Sequence, residues 1–206
     1  MDRLRHLTSV RFALVASFAA LTACSKGPAS QKVEPSTPRT AAVVGESDPN
    51  ALKTFCDKSW PSTGATQPWA GGPAKRPGQP AAAAKGGWRW VSFWATWCAP
   101  CLEEMPLLGR WRDVLQKEGV PFELELWSVD EDEQKLRERV KQGLPAQMVW
   151  VESPEALSAF LGKLGLDPDS MLPVQMLIDK NDNLRCVRVG SVRDSDWGTV
   201  RKLVGL

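Results

Sequence analysis

The chain has 206 residues, 26 Lys+Arg against 24 Asp+Glu, and a formal net charge of +2. So even a balance advertises no basic face, and no nucleic-acid partner is expected. With a single histidine and five cysteines, chemistries that need several imidazoles, such as copper delivery by Cys and His together, are excluded.

In chain order, Arg3, Arg5 and Arg11 surround a short polar stretch, residues 12–20 are apolar, and Leu21-Thr22-Ala23-Cys24 comes next. This order reads as a secretory signal over residues 1–23. The apolar run falls short of the about 20 residues that a transmembrane helix needs. Its last four residues resemble a bacterial lipobox, which would make Cys24 the lipid anchor and first residue of the mature protein; an ordinary cleaved signal with a chance cysteine is the alternative. Cleavage there removes His6, three Arg and one Asp, and leaves a mature chain with no histidine and a formal net charge of zero. The expected location is the periplasmic side of a bacterial membrane, with Ser25 leaving open whether the inner or the outer one.

Residues 24–50, rich in Pro, Ser, Thr and Ala, bury too little apolar surface to offset the entropy of ordering and read as a flexible spacer. Residues 51–87 form an N-terminal segment in which 61–87 is a second low-complexity run, rich in Pro and Gly. The remainder of the chain, 88–206, suits one domain.

Within that domain Trp88–Trp94 (WRWVSFW) reads as a strand buried on both faces. A helix should begin at the cysteines, with Met105, Leu108, Trp111 and Leu115 along one face and Pro106 predicting a kink. Residues 122–129 alternate like a strand, 131–142 are charged enough for an exposed helix, and 147–151 form a short strand. Ser153-Pro154-Glu155 is a helix start with Ser as N-cap, leading into the stripe Leu157, Phe160, Leu161 and Leu164. Val174–Ile178 and residues 184–189 read as a hairpin about the turn 180–183, and a last helix spans 194–204. The order β-α-β-α-β-α-β-β-α implies an α/β fold, one mixed central sheet flanked by helices.

The chemistry concentrates at FWATWCAPC, residues 93–101. Two cysteines separated by Ala99-Pro100, where a strand hands over to a helix, put both sulfurs in the first turn, where unpaired N–H groups and the helix dipole favour an anion. Cys98 is therefore expected to be an exposed nucleophile with a lowered thiolate pKa. Cys101, one turn further in, is placed to resolve a mixed disulfide. A purely structural disulfide would close too tight a loop to restrain much chain. A zinc site of Cys56, Cys98, Cys101 and Cys186 would have to span a 42-residue gap in an exported setting. Covalent haem needs His after the second cysteine, where Leu102 stands. No metal and no cofactor are expected.

FWATWCAPC with Glu104 and Pro106, SVDED at 128–132 and LPVQMLID at 172–179 resemble the thioredoxin superfamily and, within it, the TlpA/ResA-like membrane-anchored thiol-disulfide oxidoreductases of bacteria. The resemblance covers residues 88–204. It implies a thioredoxin fold with a TlpA-like helix-strand insert at 131–151. It further implies attack by Cys98, resolution by Cys101, a cis proline at Pro173 facing the pair, and tuning of the resolving thiol by Glu104. An acid so near a helix start also reads as a simple dipole partner. Trp97, Ala99, Pro100 and Leu172 are expected to form the substrate-docking surface.

Two departures bear on this. Ser92 stands where the family carries an acid or Asn, and Met171-Leu172-Pro173-Val174 replaces Gly-x-Pro-Thr. Cys56 and Cys186 are expected to pair, as in TlpA-like proteins that staple an N-terminal segment to the hairpin, with free buried thiols as the alternative. The staple would close a loop of about 130 residues and stabilise by about 4–5 kcal/mol in the chain-entropy model. The resulting expectation is a monomeric, lipid-anchored enzyme that exchanges its dithiol with protein disulfide or thiol substrates. It would act as a reductant of the cytochrome c or copper-centre maturation type, fed by a membrane thiol-electron donor. A redox-inactive binding or chaperone module on the same fold is the rival, suggested by Met171 and Val174.

Overall fold

The computed structural model describes residues 49–80 and 86–206. The expected secretory signal, the lipid-bearing Cys24 and the spacer up to residue 48 lie outside the described residues. A short helix α1 (Pro49–Phe55) begins in the last two residues assigned to that spacer.

The fold is built on β3 (Trp88–Trp94), whose seven residues are all buried. It pairs in parallel with β4 (Phe122–Ser128) on one side and antiparallel with β6 (Val174–Ile178) on the other. Beyond β4 lies the parallel β5 (Gln147–Trp150), and beyond β6 the antiparallel β7 (Asn183–Val189). Two short strands, β1 (Lys58–Ser59) and β2 (Gln67–Pro68), both pair with β7. The sheet order is β1-β7-β6-β3-β4-β5 with β2 also on β7. Parallel neighbours need crossover connections, and α2 (Ala99–Lys117) and α3 (Glu133–Lys141) supply them between β3, β4 and β5. Next come α4 (Pro154–Lys163) and, after the hairpin, a 3-10 turn (Asp194–Asp196) leading into α5 (Trp197–Leu203).

The helices obey their sequence signals. Met105, Leu108, Trp111 and Leu115 are the buried stripe of α2. The helix runs through Pro106 as one element of 19 residues. It ends where Gly119 adopts φ 86°, which lets the amides of Gly119 and Val120 close on the carbonyls of Gln116 and Leu115 at 3.1 and 3.0 Å. Ser153 caps α4 through the amide of Ala156, with Pro154 in its first turn. The pleat sends alternate β3 side chains to opposite faces. Trp90 meets Trp111 of α2 and Phe55 of α1 edge-on, whereas Phe93 packs on Trp127 of β4.

The described part of the run expected to be loose is docked instead. Trp69 is 1% exposed, edge-on to Trp127 and to Phe160 of α4. Residues 74–79 then track the rim of β5: Arg76 N donates to Trp150 O, Glu152 N to Ala74 O, and Trp150 N to Gln79 Oε1. A Pro/Gly-rich composition hid this because one indole, a few hydrogen bonds and the Arg76 guanidinium 3.8 Å over the Trp150 ring hold the segment. The Cys56–Cys186 disulfide ties α1 and β1 to β7, with Cα atoms 5.5 Å apart.

Candidate active site

The loop after β3 is fixed by a buried carboxylate. Asp130 accepts from the backbone N–H of Thr96 at 3.0 Å, from Thr96 Oγ1 at 2.6 Å and from Ser128 Oγ at 2.8 Å. The chain therefore leaves the sheet in one direction and enters α2 at Cys98, the N-cap residue, with Pro100 in the first turn. Cys98 Sγ accepts from the amide of Cys101 at 3.3 Å. The two cysteines are joined in a disulfide with Cα atoms 5.3 Å apart.

Cys98 is not the exposed residue expected: it is 4% exposed and Cys101 1%. The cause is local. The sulfur caps its own helix and is bonded to Cys101, while the exposed groups are its neighbours Trp97, at 71%, and Met171, at 81%. These two side chains flank a mostly apolar groove of about 460 Å³ that also contains Cys98, Ala99, Pro100 and Leu172. Its remaining wall includes Val129 and, from α4, Leu157 and Leu161. Sequence reasoning placed those leucines on a core stripe and missed their second role; a stripe at helical spacing does not say which end of it reaches a surface. The Leu172–Pro173 peptide bond is cis, and Pro173 O accepts from Gly190 N at 2.8 Å.

Glu104 lies beyond the first turn of α2, which contains no acid, so it is no partner for the exposed helix end. It is 3% exposed. Its Oε1 accepts from Gln175 Nε2, and its Oε2 from the amide of Val192 at 2.8 Å. Burial pushes its carboxyl up from 4.5 to about 7, against the opposing pull of the hydrogen bonds from Val192, Gln175 and Ser92 and the charge of Arg188. Ser92, the departure from the family pattern, thus serves the carboxylate. The four cysteines of the suggested zinc set form two separate disulfides.

A mixed sheet in this order, a Cys-x-x-Cys disulfide opening the helix after the central strand, and a cis proline leading into the terminal hairpin define a thioredoxin-fold protein. No family model matches the chain. It is similar to proteins named thiol-disulfide oxidoreductase ResA from Geobacillus thermodenitrificans, at 33% identity over 109 residues, and from Geobacillus kaustophilus, at 31%. Each alignment covers 52% of this chain and 56% of the relative, so the chain spans just over half the length of the curated relatives it matches. Among solved structures, a thiol:disulfide interchange protein of the thioredoxin family from Chlorobium tepidum matches at 25% identity and a TM-score of 0.53, over 69% of this chain and 99% of that one. The chain thus has the thioredoxin fold and is similar to thiol-disulfide oxidoreductases of the ResA type.

Proposed function

We propose that the protein is a thiol-disulfide oxidoreductase that exchanges the Cys98–Cys101 couple with protein substrates. The observation that carries this is the disulfide itself, seated at the N-terminus of α2 and opening into the groove between Trp97 and Met171. In the reduced protein the free N–H groups of the first turn favour a thiolate at Cys98. That thiolate attacks one sulfur of a substrate disulfide, forms a Cys98–substrate mixed disulfide and expels the other substrate sulfur as thiolate. Cys101, deprotonated, then attacks Cys98 Sγ, releases the second substrate thiolate and closes the Cys98–Cys101 bond, so that two electrons pass to the substrate. The disulfide-bonded state of the couple is the product of that turnover. Leu172, preceding the cis Pro173, is positioned to hold substrate backbone; Trp97 and Met171 offer apolar contact on either side of it. Glu104 serves as the proton acceptor that tunes Cys101, since a carboxyl exchanging its proton near neutrality matches that task.

The resemblance of the cysteine motif and its flanks to TlpA/ResA-like proteins supports the reducing direction, with apocytochrome c or a copper-centre assembly protein as substrate and a membrane thiol protein as donor. The N-terminal sequence supports lipid anchoring at Cys24 on the periplasmic side. Residues 1–23 as signal, 24–50 as spacer, 51–87 as N-terminal segment and 88–206 as the catalytic domain complete this reading. Insulin reduction should fall to background in Cys98→Ser. Cys101→Ser should accumulate mixed disulfides through Cys98, visible on non-reducing gels and identified by mass. Activity in Cys98→Ser equal to wild type would replace this proposal with a redox-inactive binding module.

A further inference from the structure

Beneath Glu104 the sheet carries a row of polar side chains drawn from three strands. Ser92 of β3 is the cross-strand partner of Gln175 of β6, and Gln175 of Arg188 of β7, so the three share a face. All three act on the Glu104 carboxyl, two by hydrogen bonds and Arg188 by its charge. Arg188 is itself held in place by the carbonyl of Phe55 at 3.0 Å and by the Phe55 ring, 4.6 Å from its guanidinium carbon.

Which end of the Gln175 amide meets Glu104 decides what the carboxyl encounters. A primary amide can turn over and exchange its oxygen for its NH2 group. Here it cannot do so freely. Trp90 Nε1 lies 2.6 Å from Gln175 Oε1, and an indole nitrogen only donates. Turning over would set donor against donor at Trp90 and carbonyl against carboxylate at Glu104. Trp90 and Gln175 are each 2% exposed, so water cannot make good the loss.

We infer that Trp90 and Gln175 are positioning residues for Glu104: the indole locks the amide, and the locked amide presents only donors to the carboxylate, so the pair sets the pH at which Glu104 takes up its proton. The inference rests on the reading of Glu104 as the group that tunes Cys101. The other charged or titratable groups about this carboxyl are Arg188 from β7, whose charge acts on it, and Arg193 and Asp194 from the segment before α5 with Glu103 and Arg110 from α2 itself, which border with Glu104 a cleft of about 410 Å³. None of them distinguishes the two orientations of the amide, which are set at Trp90.

The test is a titration of Glu104 in the full chain with its disulfides intact, by NMR of carboxyl-labelled glutamate, with the resonance assigned by its loss in Glu104→Gln. Gln175→Met removes the donor at similar volume and should raise the midpoint by about one pH unit or more, a tenfold or greater change in acidity constant. Trp90→Phe keeps the amide but frees it to turn its carbonyl toward a protonated carboxyl, and should raise the midpoint in the same direction. The pH profile of Cys101 alkylation in reduced Cys98→Ser protein, with and without Gln175→Met, is the second readout. Midpoints unmoved in both folded variants would overturn the inference; if Trp90→Phe does not fold, Gln175→Met decides alone. A raised Glu104 midpoint with an unmoved Cys101 profile would uphold the roles of Trp90 and Gln175 and overturn the role assigned to Glu104.

Discussion

Burial of Glu104 makes its ionised form costlier in the folded chain than in the unfolded one, and this has a sign that can be measured. With a folded value of about 7 against an ordinary 4.5, the folded state keeps a proton that the unfolded state has lost between those two pH values. The associated stability is fully present below about pH 4.5 and is lost as pH rises through about 7. At 1.36 kcal/mol per unit it amounts to about 3 kcal/mol. Urea unfolding should therefore show wild type weakening relative to Glu104→Gln between pH 5 and pH 8, with most of that difference developed by pH 8. Parallel profiles would mean that the carboxyl ionises as readily folded as unfolded. Glu104, Cys98, Cys101 and Pro173 could be singled out as candidates in the sequence because each belongs to a contiguous motif. The sequence concealed Trp90 and Gln175, because their partnership exists only through the register of β3 against β6, 85 positions apart in the chain.

Among elements, the helices and central strands were legible because each carries its own period and caps: Ser153 before Pro154, the stripe of α2, the unbroken apolar run of β3. The N-terminal additions to the sheet were not, since β1 and β2 have two residues each and exist only because something else holds them on β7. At β1 that something is the Cys56–Cys186 bond, placed where Ser59 registers with Cys186. It joins residues 130 positions apart, so its loss should cost about 4–5 kcal/mol in the chain-entropy model. The double variant Cys56→Ala, Cys186→Ala, unfolded in urea without reductant, should show that loss in the extrapolated free energy. A loss below about 1 kcal/mol would mean that the rest of the interface already confines the segment. The same variant frees Phe55, whose carbonyl and ring hold Arg188 near Glu104, so the element that staples the fold also bears on the electrostatics of the site.

At the scale of the molecule the sheet has two edges that could pair with another chain, and the N-terminal segment covers both. Residues 58–68 close the β7 side and 74–79 the β5 side. Between them the segment is pinned by Trp69, set against Trp127 and Phe160. Gly72 shows how close the packing is: a Cβ there would lie 2.8 Å from the Trp69 ring and 3.0 Å from Trp127, at φ +76°, where a side chain is strained in any case. Trp69→Ala removes the pin without touching either edge. It should cost about 3–5 kcal/mol, as expected for a buried aromatic cut to Ala. The telling measurement is hydrogen exchange, because the two edges should respond differently. The amides of Arg76 and Trp150, which depend on the 74–79 pairing, should lose protection first. Those of β1, still held by the disulfide, should exchange only with global unfolding. If instead both edges opened together, the segment would be one cooperative unit governed by the staple, with Trp69 adding burial but not the anchorage assigned to it.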